Sequence, residues 1–167
     1  MNNSFTTYTS PQYDPKSLDL SSWKIKFLKT HTDAILPERK HDDTFTGDSG
    51  YDVTAVEDKI IPARGAAIVE VGLKLAYVPP GLWIRVESRS GLQFKHGISA
   101  FNGIIDNSYR GDCGIRLINN SDKDYEVKKG DRIAQFVVYT LVAPQTDWAE
   151  EVQETVRGEK GFGSSGR

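Results

Sequence analysis

The sequence predicts an all-β domain of sandwich or jelly-roll type with one short internal helix. Two observations support this. Short runs rich in Val, Ile, Leu and Tyr recur at Ala67 to Val78, Leu82 to Val86, Gly114 to Ile118 and Arg132 to Val142. β-Branched and aromatic side chains of this kind suit a pleated, half-buried surface. Between the runs stand Pro62-Ala63-Arg64-Gly65, Pro79-Pro80-Gly81, Asn119-Asn120-Ser121-Asp122 and Lys129-Gly130-Asp131. In such groups Pro presets φ, Gly supplies positive φ, and Asn or Asp side chains bond the local backbone, so each reads as a turn.

In chain order, residues 1–22 are rich in Ser, Thr, Asn, Pro and Tyr and lack any helical or strand-like apolar period. They are expected to form a flexible or partner-docked N-terminal arm. The folded β domain is expected over residues 23–150, beginning at Trp23, with residues 151–167 as a C-terminal arm. The one helix is expected to start at Ser90 as N-cap, run through Gly91-Leu92-Gln93-Phe94-Lys95, and stop at Gly97. No internal repeat is present.

With 167 residues, 38% of them hydrophobic, the chain can fill one sizeable core. Its 21 basic and 23 acidic residues leave a formal charge of -2, which excludes a nucleic-acid-coating protein. Any phosphate ligand must be held locally. A single cysteine, Cys113, cannot form an intramolecular disulfide, and neither a long apolar run nor a charged-then-apolar leader is present. A soluble cytoplasmic protein without membrane association is the expectation. His31, His41 and His96 are too scattered for a metal cluster and are expected at the surface.

Five stretches could carry chemistry, and each also has a purely structural reading. In Gly47-Asp48-Ser49-Gly50-Tyr51-Asp52-Val53, a tight turn feeds a strand, and Asp52 is either a turn residue or a partner for metal-bound water. In Glu87-Ser88-Arg89-Ser90-Gly91-Leu92, backbone N–H groups at a helix start lie beside an arginine. That makes an anion cradle or an ordinary cap with a solvated Arg. In Gly103-Ile104-Ile105-Asp106-Asn107-Ser108-Tyr109-Arg110-Gly111, an apolar strand ends on a carboxylate that could act as general base or simply make an Asx turn. Tyr109 is either half-buried packing or a platform beneath a ligand. In Gly130-Asp131-Arg132-Ile133-Ala134-Gln135-Phe136, the polar amide of Gln135 needs partners, from a neighbouring strand or from a phosphate and a water. The tail from Arg157 to Gly166 has four glycines among its ten residues. It reads as a flexible tail or as a lid, in which Arg157 and the serines would grip phosphate oxygens and Phe162 would cover a flat base.

Together and in this order, the five stretches resemble the five motifs of the trimeric dUTPase family, and the resemblance covers the chain from about Trp23 to Gly166. The segment Asp33-Ala34-Ile35-Leu36-Pro37 is similar to the family's opening strand and proline. The resemblance implies a jelly-roll-like β fold assembled as a homotrimer, with active sites shared between subunits and the C-terminal arm closing over a site. It implies hydrolysis of dUTP to dUMP and pyrophosphate, which limits uracil incorporation into DNA and supplies dUMP for thymidylate synthesis. By the same resemblance, Asp106 is the catalytic base that directs water at the α-phosphorus, and Arg89, Ser90 and Gly91 contact the phosphates. Gln135 lies at the α-phosphate region, Arg157 and Ser164 at the γ-phosphate with Gly163 and Ser165 beside them, and Phe162 stacks on uracil. Mg²⁺ is held mainly by the substrate phosphates, with Asp52 acting through coordinated water.

Recognition of the base is expected from the hairpin backbone at Gly103 to Ile105, with Tyr109 under the deoxyribose leaving no room for a 2′-hydroxyl. A rigid backbone is needed because one methyl group in an apolar pocket supplies only about 1–3 kcal/mol of discrimination. Three departures from the family pattern stand out: Ser88 where proline is frequent, Asn107-Ser108 in place of a commonly acidic pair, and Ser165 where threonine is usual. In some bacterial members an asparagine six residues before the catalytic Asp reads uracil, and here that position is Ala100. Two other functions compete with this one. A dCTP deaminase of the same fold would need a glutamate within Cys113-Gly114-Ile115-Arg116-Leu117-Ile118, which has none. A nucleotide-gated interaction protein would use the arm at residues 1–22, or the segment from Glu38 to Asp48, to bind a protein partner. No stable nucleic-acid binding is expected.

Overall fold

Strand pairing is antiparallel throughout the described sheets, as the short connections between successive runs favour. The computed structural model describes residues 23–43, 46–156 and 158. Its elements are β1 (Lys26–Lys29), β2 (Gly50–Thr54), β3 (Lys59–Ile61), β4 (Ala66–Tyr77), β5 (Leu82–Glu87), α1 (Ser90–His96), β6 (Ile98–Ala100), β7 (Ile104–Ile105), β8 (Asp112–Asn119), β9 (Tyr125–Val127) and β10 (Arg132–Thr140). The all-β architecture with one short helix is therefore as expected. The expected N-terminal arm, residues 1–22, lies outside the described residues, as do Arg157 and residues 159–167 of the C-terminal arm.

Two four-stranded sheets, ordered β1-β4-β8-β6 and β2-β10-β5-β7, share one hydrophobic core, and β3 pairs with β9 alongside. The period of two decides which side chains enter that core. Leu82, Ile84 and Val86 of β5 are buried and Trp83, Arg85 and Glu87 are not; Cys113, Ile115 and Leu117 of β8 face inward in the same way. Phe27 of β1 stacks on Phe136 of β10, with ring centroids 6.1 Å apart, joining the two sheets across the core.

The turns form where the sequence signals them. Gly65 N–H donates to the Pro62 carbonyl at 3.0 Å, Leu82 N–H to Pro79 at 3.2 Å, and Asp131 N–H to Lys128 at 2.9 Å. Gly97 ends the helix in the left-handed region at φ 70, where a β-carbon would be strained. One expectation is corrected. Ser90 is the first helical residue, and the N-cap is Arg89, at φ -84 and ψ 125 with no side-chain cap bond. Arg89 continues the extended backbone of β5 because its guanidinium is held sideways by Asp52, so the helix begins one residue later than a Ser cap would have it.

A bulge in β10 decides which side chains of that strand face Asp52. Arg132 pairs with Thr54 but Ala134 pairs with Val53, so two steps on β10 oppose one on β2. Ile133 and Ala134 are consequently both buried, and Arg132 emerges on the same face as Gln135.

Candidate functional site

Asp52 anchors the first cluster. Its backbone is fixed on both sides, by the ladder to Gln135 and by a bridge to Glu38, whose carbonyl accepts from Asp52 N–H at 2.8 Å. Its carboxylate, 15% exposed, accepts from Arg89 Nε at 3.0 Å through Oδ1 and from Arg132 Nη1 at 2.8 Å through Oδ2. Arg89 Nη1 in turn donates to the Arg132 carbonyl at 2.9 Å, and Gln135 Nε2 lies 3.4 Å from Asp52 Oδ1. Charge-assisted bonds of this kind hold long side chains in one geometry.

Gln135 lies over Gly50, where an added β-carbon would come within 2.8 Å of the amide carbon. Ser90 and Gly91 stand exposed at the helix start, next to Arg89, and their N–H groups have no intrahelical acceptor. A cleft of about 240 Å³ adjoins the two arginines, walled by Leu92, Tyr125, Gly130 and Asp131. Burial pushes the Tyr125 phenol up, with Asp131 adding to the shift and Arg89 opposing it.

The second cluster is the hairpin from β7 to β8. Asp106 is exposed immediately after Ile105, and its carbonyl accepts from Tyr109 N–H at 3.0 Å, closing a turn. A cavity of about 280 Å³ lies beside the hairpin, lined among others by Val86, Gly103, Ile105, Tyr109 and Cys113. The Gly103 carbonyl accepts from Val86 N–H at 2.9 Å, which ties the loop before β7 to β5. The Tyr109 hydroxyl donates to the Asp112 carbonyl at 2.9 Å. Its ring rests on Gly111, where a β-carbon would lie 2.6 Å from Cζ.

Within one chain the two clusters stand apart. Ile105 pairs with Ile84 and Gln135 with Glu87, so Asp106 falls opposite Trp83 while Arg89 lies beyond the other end of β5. That separation is roughly 20 Å at ~3.3 Å per residue. The fold thus gathers Asp52, Arg89, Ser90, Gly91 and Gln135 at one place and Gly103, Ile105, Asp106 and Tyr109 at another. Arg157, Phe162, Gly163, Ser164 and Ser165 lie outside the described residues.

Two residues gain importance only in three dimensions. Arg132 belongs to the first cluster, although a regular strand would put it opposite Gln135; the bulge reverses its side, and no pattern in the sequence announces a bulge. Asn107 fastens the turn after Asp106, and its replacement of an acidic residue was the available signal. The departure at Ser88 also has a structural partner, because its hydroxyl accepts from Ala100 N–H at 3.0 Å and lies 3.3 Å from the Ala100 carbonyl.

Among the described residues, no group of three His, Cys, Asp or Glu side chains could hold a metal ion. No helix among them is long and apolar enough to cross a membrane.

Comparison with known proteins gives the family. A family model described as dUTPase matches residues 33–166. The deoxyuridine 5'-triphosphate nucleotidohydrolase of Oryza sativa subsp. japonica is 43% identical over 142 residues, covering 85% of this chain and 80% of the relative. A dUTPase of Staphylococcus bacteriophage 80alpha, solved with dUPNHPP, is similar in structure with a TM-score of 0.78 and 27% identity, over 86% of this chain and 99% of that one. A second, from phage phi11 of S. aureus and described with a structural Mg(II) ion, matches in fold at a TM-score of 0.70 and 23% identity, over 78% and 99% of the two chains. Motifs, fold and relatives agree, and the chain belongs to the dUTPase family.

Proposed function

We infer that this chain hydrolyses dUTP to dUMP and pyrophosphate, with Asp106 as the base. The single observation that carries the assignment of roles is the Arg89–Asp52–Arg132 network beside Gln135: a pre-set cationic fork suited to a polyphosphate. Phosphoryl transfer needs positioning and charge neutralisation more than covalent participation. Arg89 with the Ser90 and Gly91 N–H groups binds phosphate oxygens, and Gln135 orients the α-phosphate. Asp106 accepts a proton from a water whose oxygen attacks the α-phosphorus in line. The bond from that phosphorus to the bridging oxygen breaks, and pyrophosphate departs with the electron pair. From the C-terminal arm, Arg157 and Ser164 hold the γ-phosphate, flanked by Gly163 and Ser165, while Phe162 stacks on uracil.

The hairpin backbone at Gly103 and Ile105 reads the base, and Tyr109 packs under the deoxyribose. Mg²⁺, when bound, supplies charge neutralisation across the triphosphate. The chain's donor set fits an ion delivered by the substrate: both Asp52 oxygens already accept from arginines, leaving room for a water-mediated contact rather than a protein cage.

The distance between the two clusters supports a homotrimer in which Asp106 of one subunit meets the phosphate-binding cluster of another. The segment after β10 supports the same reading. Leu141, Val142, Trp148, Val152 and Val156 are all exposed, Trp148 at 99%, so among the described residues its apolar side chains have no cover. A cytoplasmic location belongs to the same proposal and is checked by cell fractionation.

The test is pyrophosphate release from dUTP, dTTP, dCTP and UTP by wild type and Asp106→Asn. Selective dUTP turnover is expected, and the substitution should lower it by ~10²–10⁴, the usual worth of a general base. Undiminished turnover by the variant eliminates Asp106 from that role, and faster ammonia release from dCTP than pyrophosphate release from dUTP overturns the assignment.

A further inference from the structure

Asn107 sits directly after Asp106, and its side chain is turned away from the exposed carboxylate into the fold. The two hydrogens of its Nδ2 are shared among three backbone carbonyls, Pro79 at 2.8 Å, Leu82 at 3.0 Å and, more weakly, Val78 at 3.3 Å. All three belong to the turn that leads into β5, the strand on which β7 is laid. Asp106 is thus bracketed. On one side Ile105 is paired with Ile84, and on the other Asn107 is tied to the residues just before that partner. The Asn107 carbonyl is engaged as well, accepting from Arg110 Nη1 at 2.7 Å.

In this chain the carbonyls around Asn107 call for a donor. Three carbonyl oxygens converge on one nitrogen, so a carboxylate in its place would set negative charge against three acceptors in a half-buried setting. The amide is therefore chosen for its sign as well as its shape.

We propose that Asn107 is a positioning residue for the reaction: by tying the turn after Asp106 to the Val78–Leu82 turn, it holds the Asp106 carboxylate at the distance and angle needed to direct the attacking water. This rests on the reading of Asp106 as base. Displacing a reacting group by about 1 Å can cost on the order of 10² in rate, and the anchored amide suppresses displacement of that size. Substrate binding is governed by other residues, so the loss should fall on turnover.

The experiment compares Asn107→Asp and Asn107→Ala with wild type, reading kcat and KM for dUTP, the affinity for the non-hydrolysable analogue dUPNHPP, and the assembly state by sedimentation. Asn107→Ala loses these bonds, and Asn107→Asp, nearly the same size, adds repulsion. Lower kcat in both is expected, by roughly tenfold for Ala and up to a hundredfold for Asp, with analogue affinity and assembly retained. The order matters because a packing role would make Ala the worse of the two. An Asp variant as active as Ala or more so, an unchanged kcat in Ala, or a loss confined to KM overturns the proposal. If Asn107→Asp does not fold, Asn107→Ala decides alone through its kcat. Failure of the base reading is separate, since only full activity of Asp106→Asn reports it.

Discussion

Arg132 Nη1 lies 2.8 Å from Asp52 Oδ2, while the opposite oxygen of the same carboxylate accepts from Arg89 Nε at 3.0 Å. One acidic side chain therefore holds two guanidinium groups side by side. Without it, like charges this close would repel, and each arginine would pivot on its own flexible stem. The network also explains why Arg89 is extended at the end of β5 and caps the helix without a side-chain cap bond.

Removing Arg132 should loosen Arg89. Hydrogen bonds to charged groups contribute ~1.5–3 kcal/mol, and because the Arg132 side chain is 48% exposed the lower end applies. Arg132→Met is expected to raise KM for dUTP about tenfold, with a smaller effect on kcat. Lys59→Met, which breaks a pair to Glu57 at 3.5 Å that involves no residue of either cluster, should leave both constants unchanged. Steady-state kinetics on the two variants checks the pair.

Gly111 sets the seat of Tyr109. A β-carbon there would lie 2.6 Å from Tyr109 Cζ, and the position does not have positive φ, so alanine is opposed by the ring and not by the backbone. Gly111→Ala should push the ring toward the cavity and raise KM for dUTP. In a Tyr109→Ala background the same substitution should have little effect, which a double-mutant cycle measures.

Cys113 is 4% exposed in the core, and burial pushes its thiol up to about 11 from an ordinary 9.0, with Asp112 adding to the shift. The folded chain thus keeps a proton that the unfolded chain loses between those values. Its contribution to stability is intact below pH 9 and is lost as pH rises toward 11. The difference in unfolding free energy between wild type and Cys113→Ala should therefore shrink over that window, by an amount on the order of 1–2 kcal/mol. Chemical denaturation at pH 8 and about pH 11 reads it directly. Alkylation of the folded protein near neutral pH should be slow for the same reason.

The strands of the sandwich were legible because each carries its own signal: alternation in Leu82–Val86 and Gly114–Ile118, and turn residues on either side. Motif order singled out Arg89, Gln135 and Asp106, and the fold brings the first two together at Asp52. Arg132 was not legible, because its face depends on a bulge between β10 and β2, and that is a relation between two strands and not a property of either. The Ser90 cap was misplaced by one residue for a similar reason. A tertiary ion pair from Arg89 to Asp52 overrode the local preference for serine. Asn107 was visible as a departure from the family, but its role depends on the Val78–Leu82 turn, remote in sequence.

In the proposed shared site, Asp106 and the Arg89 cluster act on one substrate only when they come from different subunits. Mixing two inactive variants, Asp106→Asn and Arg89→Ala, tests it most directly. Co-refolded at equal amounts, they should recover up to about a quarter of wild-type dUTP turnover, because random assembly pairs an intact Asp106 with an intact Arg89 at that frequency. Turnover no greater than that of the separate variants, after mixed assemblies have been confirmed by mass, would contradict the shared site and return both residues to a single chain.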